Sequence, residues 1–122
     1  MKIINKVTFL LLFLFLITKG SCGCSPGDVV IDQQPTGEKI SNLPVWNVTI
    51  SNKCACTLTR VRVSCAGFES VADINPLEIC KKEDICLANN GGPIHGNNSF
   101  TFTYAWNNKI AFAPYAFQEH CS

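Results

Sequence analysis

What the chain lacks narrows its function first. It has no surplus of basic charge: ten Lys and Arg stand against nine Asp and Glu, a formal +1. Lys2, Lys6 and Lys19 all fall in the first twenty residues, which hold no acid. Beyond them seven bases face nine acids, a charge near −2. Nucleic-acid binders, basic membrane peptides and cationic antimicrobials need excess positive charge, so these classes are disfavoured. Length is lacking too. A chain of 122 residues holds one domain, not a dinucleotide-binding domain plus a substrate domain, which argues against a kinase, a dehydrogenase or a nucleotide-sugar transferase. Residues 89–93 are glycine-rich but carry no Lys and no strand–loop–helix setting, so they are not a phosphate-binding loop. Glycoside hydrolysis needs two carboxylates roughly 5–10 Å apart, and no acid here falls in such a signature. The sequence shows no repeat, no low-complexity tract and no charge run beyond Lys81-Lys82-Glu83-Asp84. The reading is a protein without catalytic activity and without a cofactor.

One long apolar run is present. Lys2 and Lys6 precede residues 7–17, which are interrupted only by Thr8. A bilayer span needs about 20 apolar residues; this run has the length of a signal-peptide core. Thr18 and Gly20 occupy the −3 and −1 positions of a cleavage site. Residues 1–20 therefore read as a signal peptide and residues 21–122 as one secreted, cysteine-rich domain. Cleavage after Gly23, with Ser21 at −3, is the alternative and would remove Cys22. Lys19 stands where a lipoprotein motif needs an apolar residue. No second apolar stretch follows, and the sequence closes on Cys121-Ser122, so no membrane insertion of the mature chain, lipid anchor or retention signal is expected. The expected location is extracellular, in the apoplast.

The mature region alternates with period two. Trp46, Val48 and Ile50 share one face against Asn47 and Thr49. Thr59, Val61, Val63 and Cys65 oppose Arg60, Arg62 and Ser64. Phe100, Phe102, Tyr104 and Trp106 oppose Thr101, Thr103 and Ala105. Residues 29–31 and 115–117 are shorter candidates. Turn residues fall between: Pro35-Thr36-Gly37 separates the first two runs, Asn75-Pro76 and residues 89–93 break the middle, and Asn107-Asn108 and Pro114 break the end. Only residues 76–82 suit a short helix, with Pro76 in its first turn. The pattern predicts an all-β fold, a disulfide-stabilised antiparallel β-sandwich.

Eight cysteines (22, 24, 54, 56, 65, 80, 86 and 121) in so short a chain point to disulfides in an oxidising compartment. They allow about 105 pairings. Cys54 and Cys56, two apart in extended chain, point the same way and each would reach a different partner. The same holds for Cys22 and Cys24 if that stretch is extended. Zinc sites prefer wider Cys-x2–4-Cys loops, so no metal site is expected. His95 and His120 are not linked to any one cysteine. Each disulfide would add roughly 2–4 kcal/mol, comparable to a small domain's whole stability.

Three surface features bear on binding. Asn47-Val48-Thr49 and Asn97-Asn98-Ser99 are N-glycosylation acceptors, and a glycan on Asn47 would cover one sheet face. Arg60 and Arg62 project from one strand face, spaced to meet carboxylates of a partner. Trp46, Tyr104 and Trp106 would form a sugar-stacking platform if exposed, although their alternation with Phe100 and Phe102 fits a core. A cell-wall carbohydrate-binding module, taking wall polysaccharide, is therefore the second class considered.

An ordered set of residues carries a resemblance. Val30-x-Asp32-Gln33 with Thr36-Gly37 is followed by Pro44-x-Trp46-x-Val48-x-Ile50-x-Asn52-x-Cys54. Then come Cys65-x-x-Phe68-x-Ser70, Asn75-Pro76, Cys86-Leu87-x-Asn89-x-Gly91-x-Pro93-Ile94, Phe102-x-Tyr104-Ala105-Trp106 and Cys121. From Cys24 to Cys121 the chain resembles the Tapetum Determinant family of small secreted plant proteins. The resemblance implies a disulfide-bonded extracellular ligand of a leucine-rich-repeat receptor kinase, acting in cell-fate specification of the anther tapetum. Members of that family also carry a label as β-1,3-N-acetylglucosaminyltransferases, against which the short chain and the missing nucleotide-sugar site both speak. Cys24, Cys54, Cys56, Cys65, Cys86 and Cys121 look like the family set. Cys22 and Cys80 look additional, open to a fourth bridge with each other.

Overall fold

β-branched and aromatic side chains at alternate positions pack well on a half-buried pleated surface, and the chain builds strands wherever that pattern runs. A computed structural model describes residues 23–71, 74 and 79–121, apart from the side chain of Cys80. The strands are β1 (Val29–Ile40), β2 (Leu43–Asn52), β3 (Thr57–Ser64), β4 (Ile79–Lys82), β5 (Ile85–Ala88), β6 (Ser99–Ala105) and β7 (Ala113–His120). They form a three-stranded sheet in the order β1-β2-β6 and a four-stranded sheet in the order β4-β5-β3-β7. Every pairing is antiparallel. Val48, Ile50, Phe102 and Tyr104 face inward from the first sheet; Leu58, Val61, Val63, Cys86 and Ala88 do so from the second. The fold is all-β, an antiparallel sandwich.

Three local expectations are corrected. Pro35-Thr36-Gly37 does not separate β1 from β2: it lies inside β1, where a bulge between Pro35 and Lys39 absorbs it. β1 is an edge strand, so it tolerates a proline that cannot donate a ladder hydrogen bond. The turn is Ser41-Asn42, both left-handed at φ 52° and 68°, the hand a two-residue hairpin requires. Residues 79–82, expected to be helical, form β4 and pair with β5 from Ile79↔Ala88 to Lys82↔Ile85. One helical turn gains too few hydrogen bonds to compete with that pairing; residues 76–78 lie outside the described residues. Thr59, expected inward, faces outward and shares a hydrogen bond with His120 at 2.8 Å, for a reason given below.

Between the sheets sits an aromatic cluster. Phe112 lies 5.7, 5.9 and 5.9 Å from the rings of Phe68, Phe102 and Tyr104. The Tyr104 hydroxyl donates to Gln33 Oε1 at 2.6 Å and accepts from the Ile110 N–H at 2.9 Å. Gln33 Nε2 in turn donates to the Ile110 carbonyl at 2.6 Å, closing a ring of three bonds. Burial pushes the Tyr104 phenol above its ordinary 10.0, against the opposing effect of the Ile110 N–H.

Two crossings between the sheets run side by side. Residues 53–56 carry the chain from β2 to β3, and residues 92–98 carry it back to β6. Asn52, the buried polar residue at the end of β2, joins them. Its Nδ2 donates to the Cys56 and Ile94 carbonyls at 2.8 and 2.9 Å, and its Oδ1 accepts from the Cys54 N–H at 2.9 Å. Its backbone N–H and C=O pair with Asn98 and Asn97, both at 2.9 Å. The crossings approach so closely that a Cβ on Gly96 would stand 2.5 Å from the Ala55 carbonyl oxygen.

Two outcomes follow. Asn52→Ala removes three side-chain hydrogen bonds and leaves the Cys54 N–H without its acceptor, while the Ile94 carbonyl keeps the Leu58 N–H. At roughly 1–3 kcal/mol for a buried group left unpaired, it should lose about 3 kcal/mol, seen as a lower urea midpoint at unchanged m value. Because the Tyr104 pKa is raised on folding, its stabilisation is fully present below pH 10.0 and is lost as pH rises through the folded value. Thermal unfolding followed across that window should show the loss, and Tyr104→Phe should lessen it.

Candidate functional site

The outer face of the four-stranded sheet carries a groove of about 560 Å³. β3 contributes Arg60 and Arg62, β5 contributes Ile85 and Leu87, and β7 contributes Tyr115 and Gln118; Lys82 and Glu83 close the end at the β4–β5 turn. Register brings these together: Arg62 sits opposite Leu87, and Lys82 opposite Ile85.

The middle of β3 is not a regular strand. Thr59 pairs with Gln118 and Arg62 with Ala116, so Arg60 and Val61 together oppose Phe117 alone. Arg62 pairs with Ala116 and Val63 with Pro114, so Tyr115 is in turn the extra residue on β7. The two bulges cancel, and the register resumes. The first reverses the alternation: Leu58 and Val61 are buried, while Thr59, Arg60 and Arg62 turn outward. Arg60 adopts φ 50°, a left-handed conformation that costs a non-glycine residue on the order of 1–3 kcal/mol. Bulges re-aim side chains in this way beside functional sites. Tyr115, on the opposing bulge, is 59% exposed. At the far end, Asn89, Asn90 and Gly91 are all left-handed at φ 54°, 54° and 79°. Asn and Gly enter that region most readily. The turn closes against Arg60: a Cβ on Gly91 would lie 3.9 Å from Arg60 Cγ.

The charge is lopsided. Arg60, Arg62 and Lys82 line the groove with one carboxylate, Glu83. Among the described residues none of these three cations has a hydrogen-bond or ion-pair partner for its head group. The structure thus brings Arg60 and Arg62 to one surface and adds Lys82 and Tyr115, which the sequence reading did not single out. A three-residue spacing from Leu58 to Val61, within an otherwise two-residue alternation, was the available signal for the bulge.

Other sites read from the sequence fall elsewhere. Cys24 is bonded to Cys54, Cys56 to Cys121 and Cys65 to Cys86. Cys54 and Cys56 thus reach different partners, one toward each end of the chain. The sulfurs of Cys24, Cys54 and Cys56 lie within 4.8 Å of one another, but sulfur in a disulfide is not the thiolate that a metal needs. Cys22 and the Cys80 side chain lie outside the described residues, as does any bridge between them, and so do residues 1–20. Asn47 of β2 sits between Gln34 and Thr103 on the outer face of the three-stranded sheet. Asn97 is exposed in the crossing before β6. Tyr104 is 0% exposed and offers no sugar platform. Trp46 is half-buried, its Nε1–H donating to the Trp106 carbonyl at 3.1 Å. His95 and His120 meet Thr57 and Thr59. Among the described residues no helix is long and apolar enough to cross a membrane.

The family model described as "Tapetum determinant 1, C-terminal" matches residues 25–122. The chain belongs to this family. Curated relatives include TPD1 protein homolog 1 of Arabidopsis thaliana, 36% identical over 85 residues, covering 67% of this chain and 48% of the relative. TPD1 protein homolog 1A of Oryza sativa subsp. japonica is 27% identical over 92 residues, 67% of this chain and 41% of the relative. The chain thus matches about half the length of these relatives or less. No solved structure matches it. The Tapetum determinant match spans all seven described strands and the whole groove. A small, disulfide-rich sandwich of this kind is consistent with an extracellular setting.

The left-handed Arg60 makes a stability prediction. Glycine accepts φ 50° without steric cost, offset by its greater entropy when unfolded, about 0.5–1 kcal/mol. Arg60→Gly should therefore keep or slightly raise the thermal midpoint, whereas Arg62→Gly, at a strand position without a positive φ, should lower it. Paired thermal melts of the oxidised proteins measure both.

Proposed function

We propose that the chain is a secreted signalling ligand, recognised by the leucine-rich-repeat ectodomain of a receptor kinase in plant cell-fate specification. The observation that carries this reading is Tapetum determinant membership across the entire sandwich. Residues 1–20 act as the export signal, cleaved after Gly20, and residues 21–122 form the mature domain. Export delivers the cysteines to an oxidising compartment, where the three bridges form. Asn47 and Asn97 carry glycans on surfaces outside the groove. The ligand works by binding alone. A few anchors of Arg and aromatic type dominate such interfaces, and Arg60, Arg62 and Tyr115 supply those types on one exposed face.

The test is a surface-biosensor panel of leucine-rich-repeat ectodomains against the secreted, oxidised protein. Micromolar or tighter binding to one member, abolished by reduction, is the expected result. Silence from every ectodomain with correctly oxidised protein would refute the ligand reading.

A further inference from the structure

We infer that the groove on the four-stranded sheet takes an acidic peptide segment of the partner, with carboxylates flanking an aromatic or aliphatic side chain. The inference rests on the ligand reading above and specifies the surface and the chemistry it uses. Four observations carry it. First, three cations converge on the groove against one carboxylate, in a mature chain whose overall charge is near −2; the positive charge is a local feature, not a global one. Second, these cations have no partner for their head groups among the described residues. A free guanidinium presents five donors in a planar fork that fits a carboxylate. Third, the space between them is apolar: half-buried Ile85 and Leu87 lie beside exposed Tyr115. That floor suits a peptide side chain better than an acidic polysaccharide, whose rings present hydroxyls. Fourth, two compensating bulges hold Arg60 and Tyr115 on this face, Arg60 in a left-handed conformation. Neither glycan acceptor lines the groove.

The test uses the full chain, exported and oxidised, against immobilised poly-L-glutamate, a glutamate–tyrosine copolymer, polygalacturonate and a neutral β-glucan. The comparison protein combines Arg60→Gln, Arg62→Gln and Lys82→Gln, and Thr103→Gln on the opposite sheet is the control. The native chain should bind the copolymer more tightly than poly-L-glutamate and ignore the neutral glucan, with affinity falling as salt rises. The triple variant should bind about tenfold more weakly or worse, as loss of charge-assisted bonds dictates, while the control binds as the native chain does. If the triple variant does not fold, Arg62→Gln alone is read instead and should weaken binding several-fold. Equal binding by native and substituted chains overturns the inference. So does a preference for polygalacturonate, which would assign an acidic polysaccharide. The two readings fail separately. An ectodomain that binds native and triple variant alike removes the groove and leaves the ligand reading. Copolymer binding lost in the triple variant, with every ectodomain silent, upholds the groove and removes the receptor.

Discussion

The Asn52 carboxamide holds the junction on which both sheets depend. A β-sandwich needs the chain to pass from one sheet to the other, and backbone groups in that passage have no ladder to satisfy them. Here the passage is the segment Lys53-Cys54-Ala55-Cys56. One buried side chain accepts from Cys54 and donates to Cys56 and Ile94, so the outgoing and returning crossings are tied at a single point. The same short segment carries the two cysteines that reach Cys24 and Cys121. Loops of 30 and 65 residues are closed on it, each worth about 4 kcal/mol by loop-entropy reasoning. The Cys24 N–H also donates to Glu119 at 2.7 Å, so residues near both ends of the described chain meet at this passage. A polar residue in the core is usually a liability. Here it sets the geometry in which the two disulfides form.

The four-stranded sheet shows the opposite device, a departure from regularity. Had β3 kept its period-two alternation through Arg60, the parity that buries Leu58 would have sent Val61 outward and Arg60 inward. The bulge at Arg60-Val61 prevents that, and the second bulge at Tyr115 restores the ladder to β7. The backbone strain at Arg60 is held by neighbours on both sides: Val61 and Val63 are fully or almost fully buried, and Cys65 is bonded to Cys86 on the adjoining strand. A strained residue persists only where its surroundings over-determine it, and Cys86 of this disulfide lies between Ile85 and Leu87 of the groove, buried on the inward side of the same strand.

Much of the architecture was legible because it rests on periodicity. The inward faces of β2 and β6 could be read from Trp46-x-Val48-x-Ile50 and Phe100-x-Phe102-x-Tyr104, since alternation is the direct imprint of a half-buried sheet. What escaped depends on tertiary context. β4 and β5 are four residues each, too short to show a period, and Pro76 gave the nearby stretch a helical look. Pro35-Thr36-Gly37 carries turn chemistry, yet an edge strand can bulge around it, and the true hairpin uses Ser41-Asn42, a weaker signal than Asn-Gly. The groove was half legible. Arg60 and Arg62 stand out as cations in a β-branched run. Lys82 and Tyr115 join them only through pairing between strands that are 20 and 53 residues away from Arg62 in sequence.

Rigidity and charge then act together. Association must offset lost translational freedom and the ordering of side chains and loops. A sandwich closed by three disulfides among its described residues has little backbone left to order, and an arginine stem that runs close to the Gly91 turn has lost part of its rotamer freedom before any partner arrives. The acidic remainder of the molecule matters as well. A uniformly basic protein would adhere to every anionic surface, whereas cations confined to one groove on a slightly acidic chain attract a complementary segment there and repel it elsewhere. Electrostatics of this kind govern encounter rate and selectivity more than final affinity. The apolar floor between the charges is what distinguishes a partner segment that fits from one that is merely acidic.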